Sequence, residues 1–240
     1  MNKLKALIFD VDGTLAETEE AHLEAFNRVF AEAGLGWNWS ADQYRVLLKT
    51  TGGQERIAEW QTWPEAGGKS LTPEEITKLH KRKTELYHVV VKEGGLELRP
   101  GVRTLIDVAK NAGLRVGVAT TTSRINVDAL CQSCWGKPAS EVFEAVAAGD
   151  EVKAKKPAPD LYELALERLG LLAENCLAFE DNRNGFLSAE GAGLRVVATP
   201  SSFTMEEDFR GASWVVEDLR YSNLPTVLRN ALGLDMAASV

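Results

Sequence analysis

The sequence predicts an α/β protein: a doubly wound parallel sheet into which an all-helical lobe is inserted. Two observations carry that prediction. Six short apolar runs, Leu4–Phe9, Leu114–Ala119, Phe143–Ala147, Cys176–Phe179, Leu194–Ala198 and Trp214–Val216, have strand character, and helix-period segments lie between most of them. Strands that are apolar on both faces and alternate with helices of about ten residues need cover on both sides, which is the parallel-sheet arrangement. The second observation is a break in this rhythm, since roughly ninety residues separate the first strand from the helix before the second, and they carry helix signals rather than strand signals.

Each element has its own justification. The segments VRTLIDVAKNAG, INVDALCQSCWG, DLYELALERLG and NGFLSAEGAG read as crossover helices that close on glycine. In the long interval, Glu17 to Gly34 places Ala21, Ala25, Val29 and Ala33 on one broad face with Phe26 and Phe30 alongside. Ser40-Ala41-Asp42-Gln43 and Thr72-Pro73-Glu74-Glu75 are capping boxes, the second with proline at the first helical position. Four helices are therefore expected in a cap domain over residues 16–97. The sheet domain is expected over 1–15 and 98–240, and the two joining stretches can serve as a hinge. Trp37, Trp39, Trp60 and Trp63 are read as packing for the small core of the lobe.

Composition limits the function classes. A net charge of −8 and a pI of about 5.1 repel a nucleic-acid backbone, so an anionic ligand must be held by local cations or a metal. No apolar run is long enough to span a bilayer, and Met1 leads directly into a strand, so the expectation is a soluble, cytoplasmic monomer. A plastid stroma location is the alternative if a transit peptide has been removed. Cys131, Cys134 and Cys176 are an odd set that fits reduced thiols, and Cys131-x-x-Cys134 lacks the second ligand pair a zinc site needs.

In a doubly wound sheet the ligand crevice lies beyond the carboxyl ends of the strands. Asp10 and Asp12 follow the first strand in LIFDVDGT, where Asp-Gly alone is also ordinary turn chemistry. Strand two runs into Thr120-Thr121-Thr122-Ser123, hydroxyls and N–H donors suited to phosphoryl oxygens, or simply a helix-capping turn. Beyond strand three, VKAKKPAPD presents Lys156 ahead of a proline that restricts it, within a loop whose Lys153 and Lys155 read as solvated. Strand four ends on Glu180 and Asp181. Two acid pairs at one sheet edge repel each other, and a divalent metal resolves that repulsion economically.

This set of four motifs in this order resembles the haloacid dehalogenase superfamily of phosphatases and phosphomutases, over nearly the whole chain including the cap. Within it, DGTLAETEEAH, YRVLLKTTGGQERI and VATTTS are similar to the CbbY-like sugar-phosphate phosphatases, whose studied members act on xylulose 1,5-bisphosphate, an inhibitory by-product of Rubisco carboxylation. The resemblance implies a Rossmann-like core and a mechanism. Asp10 is the nucleophile that becomes an aspartyl phosphate, and Asp12 is the general acid and then the general base. Mg2+ sits on the Asp10 carboxylate, the Asp12 carbonyl and Asp181, with Glu180 at the edge of its shell. Thr120, the Thr121 N–H and Lys156 hold the phosphoryl oxygens. Serine often follows the Glu-Asp pair in such proteins; here it is Asn182, which is expected to tune activity.

Specificity is assigned to the cap. Glu19 and His22 on its first helix are candidates for sugar hydroxyls. Tyr44, Gly52, Gly53 and Arg56 surround the LKTTGG turn, where glycine allows close backbone approach and Arg56 suits a second phosphate. Lys83 is weighed for the same role, but within HKRK a solvated face is the stronger reading, and His80 and His88 are read as surface or packing residues. The partner is a small-molecule sugar phosphate or bisphosphate. Alternatives are a β-phosphoglucomutase-like phosphomutase with the same core and a cap histidine, a phosphoglycolate phosphatase, and a non-enzymatic phosphoacceptor. The last needs neither an inserted lobe nor an aspartate two positions after the nucleophile.

Overall fold

The computed structural model of the chain describes residues 3–232. The chain divides into two compact units, one made of Met1–Glu17 and Glu97–Val240 and one of Thr18–Leu96. Ala16 was expected in the lobe, but it is bridged to Asp12 on one side and Leu98 on the other, so the sheet unit extends through Glu17 and resumes at Glu97. Among the described residues no helix is long and apolar enough to cross a membrane.

The sheet unit carries β1 (Ala6–Phe9), α5 (Val102–Asn111), β2 (Arg115–Ala119), α6 (Arg124–Trp135), α7 (Ala139–Val142), β3 (Ala145–Ala147), α8 (Asp160–Leu169), β4 (Cys176–Glu180), α9 (Arg183–Gly191), β5 (Arg195–Ala198), β6 (Trp214–Val215) and α10 (Thr226–Ala231). The six strands form one sheet in the order β3-β2-β1-β4-β5-β6, and every pairing is parallel. β1 therefore lies inside the sheet, at the point where the strand order reverses, and its four residues ALIF are wholly buried. One side of the core unites Ala6, Ile8, Ala119, Ala147 and Ala178 with Leu161, Tyr162, Ala165 and Leu169 of α8 and Phe186 and Ala189 of α9. The alanine-rich strands leave room for those helices to approach closely. Burial pushes the Cys131 thiol up to about 12 and the Cys176 thiol up to about 11, so both behave as small apolar side chains.

Register decides where chemistry emerges. Phe9 pairs with Val118 on one side and Phe179 on the other, with the Phe9 and Phe179 rings stacked at 4.5 Å. The next residues along these strands, Asp10, Ala119 and Glu180, thus line up at one edge of the sheet, where Ala119 and Glu180 are the last residues of β2 and β4. The Asp10 N–H still donates to the Phe179 carbonyl at 2.9 Å, so the last ladder bond fixes the backbone of the first acidic residue.

The inserted unit holds α1 (Glu19–Glu32), α2 (Ala41–Leu47), α3 (Gly53–Trp60) and α4 (Pro73–Gly94). Both predicted capping boxes form. Gln43 N donates to Ser40 Oγ while Ser40 N donates to Gln43 Oε1, and Thr72 and Glu75 exchange the same pair of bonds. Its core is aromatic: Phe26 packs against Trp39 at 4.7 Å, Phe30 against Trp37 and Trp39 at 5.4 and 4.8 Å, and Trp60 against Trp39 at 5.8 Å. Asn27 ties this core to α1 by exchanging two hydrogen bonds with the backbone of Trp39. Ala33, expected on the apolar face of α1, is exposed at the helix end.

Candidate active site

The acidic cluster is built on β1 and β4. Asp10, Glu180 and Asp181 are all buried, and their carboxylate oxygens lie within 4.8 Å of one another. Lys156 reaches them from the loop before α8, with Nζ at 2.5 Å from Asp10 Oδ1 and 2.6 Å from Glu180 Oε1. Its peptide bond to Pro157 is cis. The Tyr162 hydroxyl, on α8, donates to the same Glu180 oxygen at 2.6 Å.

Three carboxylates and one ammonium leave the cluster short of positive charge. Burial, and then the charges of Glu180, Asp181 and Asp12, push the Asp10 carboxyl well above the usual carboxylate range, against the opposing pull of Lys156. Burial also works against the Lys156 charge, but Asp10 and Glu180 outweigh it and hold that lysine above its ordinary value. The two directions agree, because Lys156 is kept cationic by Glu180 as well as by Asp10. Burial and the neighbouring Glu180 likewise hold the Tyr162 phenol protonated, as a donor. A divalent cation fits this set: all the donors are oxygens, they converge, and Glu180 Oε2 is buried with no hydrogen-bond partner.

The loops around the cluster explain its glycines. Gly13 has φ +82°, and a Cβ there would stand 2.1 Å from Asp181 Oδ2, so the turn after Asp12 packs directly on the Asp181 carboxylate. Asp181 is held from its other sides by Thr204, whose hydroxyl donates to the Asp181 carbonyl at 2.6 Å, and by Asn182 Nδ2, which donates to Oδ1 at 2.8 Å. Asn182 also caps α9, its Oδ1 accepting from Gly185 N at 2.8 Å. A Cβ on Gly185 would lie 1.9 Å from Glu180 Oε2, so the first turn of α9 closes on Glu180. On the β2 side, Thr120 is buried, its N–H donates to the Ala147 carbonyl, and its hydroxyl accepts from Thr122 N at 3.2 Å. Gly149 lets the loop after β3 press on the Thr121 carbonyl, where a Cβ would sit at 2.0 Å.

The other predicted residues belong to the inserted unit and form two polar groups within its core. Tyr44 is fully buried and donates to Glu19 Oε2 at 2.7 Å, and Arg56 donates to the Tyr44 hydroxyl at 3.2 Å and to the Thr50 carbonyl at 3.1 Å. Lys83 Nζ lies 2.7 Å from His22 Nδ1, and His22 stacks on Tyr87 with centroids 4.0 Å apart. An ammonium has no acceptor, so Nδ1 accepts and a neutral His22 carries its proton on Nε2. The solvated reading of Lys83 is corrected: it is 4% exposed and lies over the Phe26 ring at 4.3 Å. Gly52 has φ +102° ahead of α3, whereas the space beside Gly53 is taken by the His80 ring, 2.3 Å from where a Cβ would be.

Tyr162 and Thr204 were not read from sequence, and Lys83 was weighed for the second phosphate but read as solvated. Lys83 had a signal, because it stands seven residues from both Ile76 and Val90 on the buried stripe of α4. Tyr162 had a weaker one: a tyrosine on the core face of a helix needs a partner for its hydroxyl. Thr204 had none, since it acts from a loop that folds back onto β4.

Residues 4–193 match the haloacid dehalogenase-like hydrolase family. Protein CbbY of Rhodobacter capsulatus is 55% identical over 217 residues, covering 90% of this chain and 94% of its own. The crystal structure of CbbY from Rhodobacter sphaeroides in complex with phosphate superposes with a TM-score of 0.86 at 47% identity, covering 91% of this chain and 96% of that one. A variant of that protein in complex with xylulose 1,5-bisphosphate matches equally well, with the same TM-score, identity and coverage.

Proposed function

Because the chain belongs to the haloacid dehalogenase-like hydrolases, and within them to the CbbY-like proteins, we propose that it is a Mg2+-dependent sugar-bisphosphate phosphatase whose preferred substrate is xylulose 1,5-bisphosphate. The observation that carries the reading is the buried Asp10-Lys156-Glu180-Asp181 cluster at the carboxyl edge of β1 and β4.

Asp10 attacks phosphorus with a carboxylate oxygen and becomes an aspartyl phosphate; the bond to the sugar oxygen breaks as the new one forms. Asp12, on the turn two residues later, gives that oxygen its proton and afterwards takes a proton from the water that hydrolyses the acyl phosphate. Lys156 offsets the charge of the nucleophile against the incoming phosphate. With Thr120 and the Thr121 N–H, it stabilises the oxygens that carry charge in the transition state. Asp10, Asp181 and the Asp12 carbonyl, with Glu180 beside them, would hold Mg2+, which when bound would supply the positive charge that the cluster lacks. Tyr162 and the first turn of α9 keep Glu180 in place. In the inserted unit, Glu19, His22, Tyr44, Gly52, Gly53 and Arg56 are the proposed contacts for the sugar and its second phosphate, which only a bisphosphate has.

The test is phosphate release in Mg2+ across xylulose 1,5-bisphosphate, hexose 1-phosphates and 2-phosphoglycolate. The expected result is the highest kcat/KM on the pentulose bisphosphate and no release in EDTA. A hexose 1-phosphate returned as an isomer instead of free phosphate would make the protein a mutase, and a preference for 2-phosphoglycolate would move it to that phosphatase class.

A further inference from the structure

Arg99 belongs to none of the motifs that carry the chemistry, yet its guanidinium has a partner for every donor. Nε lies 3.2 Å from Glu17 Oε1, one terminal nitrogen donates to the Gly13 carbonyl and to the Thr199 carbonyl at 2.6 Å, and the other donates to the Pro200 carbonyl at 2.7 Å and the Glu217 carbonyl at 3.4 Å. The side chain is 8% exposed. Its backbone N–H donates to the Leu15 carbonyl at 2.8 Å, and Leu98 pairs with Ala16.

Four of the five acceptors are backbone carbonyls of loops at the carboxyl edge of the sheet. Gly13 is the residue after Asp12. Thr199 and Pro200 open the loop in which Thr204 holds Asp181, and Glu17 closes the same circuit by accepting from the Ser202 hydroxyl at 2.9 Å. These loops also bear on each other, since Gly13 packs against the Asp181 carboxylate. A planar fork of five donors suits carbonyls that arrive from several directions, whereas the three donors of a lysine radiate from a single atom.

We propose that Arg99 is a positioning residue for the phosphatase reaction: it fixes the Asp12-Gly13 turn against the 199–204 loop and thereby sets the aim of the Asp12 carboxyl. The proposal rests on the assignment of Asp12 as the proton donor and acceptor. Its signature is selective. A misaimed acid slows departure of a sugar alkoxide, which needs a proton, far more than departure of p-nitrophenolate, which does not.

The experiment compares Arg99→Met and Arg99→Lys with the parent enzyme in Mg2+. Arg99→Met is expected to lower kcat on the sugar bisphosphate by about 10- to 100-fold with little change in KM, as a small displacement of a catalytic group does. Arg99→Lys is expected to recover part of the loss. The pre-steady-state burst of p-nitrophenolate from p-nitrophenyl phosphate is expected to keep its rate within about threefold. Hydrogen exchange without substrate is expected to quicken at the amides of residues 13–16 and not in β4. An unchanged kcat, an equal loss on both esters, or faster exchange throughout the sheet would overturn the proposal. Should Arg99→Met fail to fold, Glu17→Ala removes one of the five acceptors and is expected to give the same contrast between esters at smaller size; equal effects on both esters would again overturn it. Absence of any phosphatase activity in the parent would instead refute the functional reading, and the exchange at residues 13–16 would still decide whether Arg99 holds the turn.

Discussion

Lys156 touches two carboxylates, and what it leaves unneutralised determines how the site responds to substitution and pH. Asp10→Asn keeps an acceptor for Lys156 but no longer has a nucleophile, so phosphate release is expected to stop while circular dichroism stays that of the parent. Residual turnover above a small fraction would argue against a covalent route. The pH response has a definite sign. The folded-state pKa of Asp10 is raised above its ordinary 3.8, so the contribution of this group to the stability of the metal-free fold is full below that value and is lost as pH rises through the raised one. Mg2+ competes with that proton, and its binding stabilises the fold only as far as the proton has left. The rise in melting temperature on adding Mg2+ should therefore be larger at pH 8 than at pH 5; equal rises would refute the charge imbalance described for the cluster.

The junction of β4 and α9 concentrates more of the site than any other pair of elements. Glu180 ends the strand, Asp181 follows it, Asn182 caps the helix, and Gly185 lets the helix close on the carboxylate. A methyl group at Gly185 cannot coexist with Glu180 Oε2, so Gly185→Ala must drag Glu180 away from Lys156 and Tyr162. The expected outcome is Mg2+ affinity at least about tenfold weaker by titration calorimetry, the scale on which outer contacts of a metal ligand act. Affinity equal to the parent would remove Glu180 from the metal shell. The elements themselves were legible because burial on both faces leaves a strand such as ALIF continuously apolar, and because the capping boxes are local in sequence. Asp10, Glu180 and Asp181 were legible for a related reason: charge directly after an apolar run is conspicuous. The supports of these groups were not. Tyr162, Thr204 and Arg99 each meet their partners across at least eighteen residues of chain, and no periodicity records such a meeting. Lys83 was misread because Lys81 and Arg82 beside it in HKRK are exposed while it turns inward.

At the scale of the whole molecule, a chain of net charge −8 has to hold a substrate that is itself strongly anionic. Long-range attraction is absent, so binding must come from close, directed cations, Lys156 in the sheet unit and, as proposed, Arg56 in the inserted one. Arg56→Ala removes a charge-assisted contact of about 1.5–3 kcal/mol, so kcat/KM on the bisphosphate is expected to fall at least about tenfold. A sugar monophosphate should lose far less. Equal losses on the two substrates would mean that Arg56 serves the fold through Tyr44 and Thr50 rather than the ligand.

β1 also has a history that its place inside the sheet conceals. It is synthesised well before the strands on either side of it, residues 115–119 and 176–180. The unit from Thr18 to Leu96 is continuous and has its own aromatic core, so it can assemble while ALIF still waits without partners. Until residue 119 has been translated, the nascent chain therefore carries the future nucleophile after an unpaired, wholly apolar strand, and until Glu180 that strand can be paired on one side only. During that interval the edges of an apolar strand are open to pairing with other chains, an exposure that the finished sheet removes.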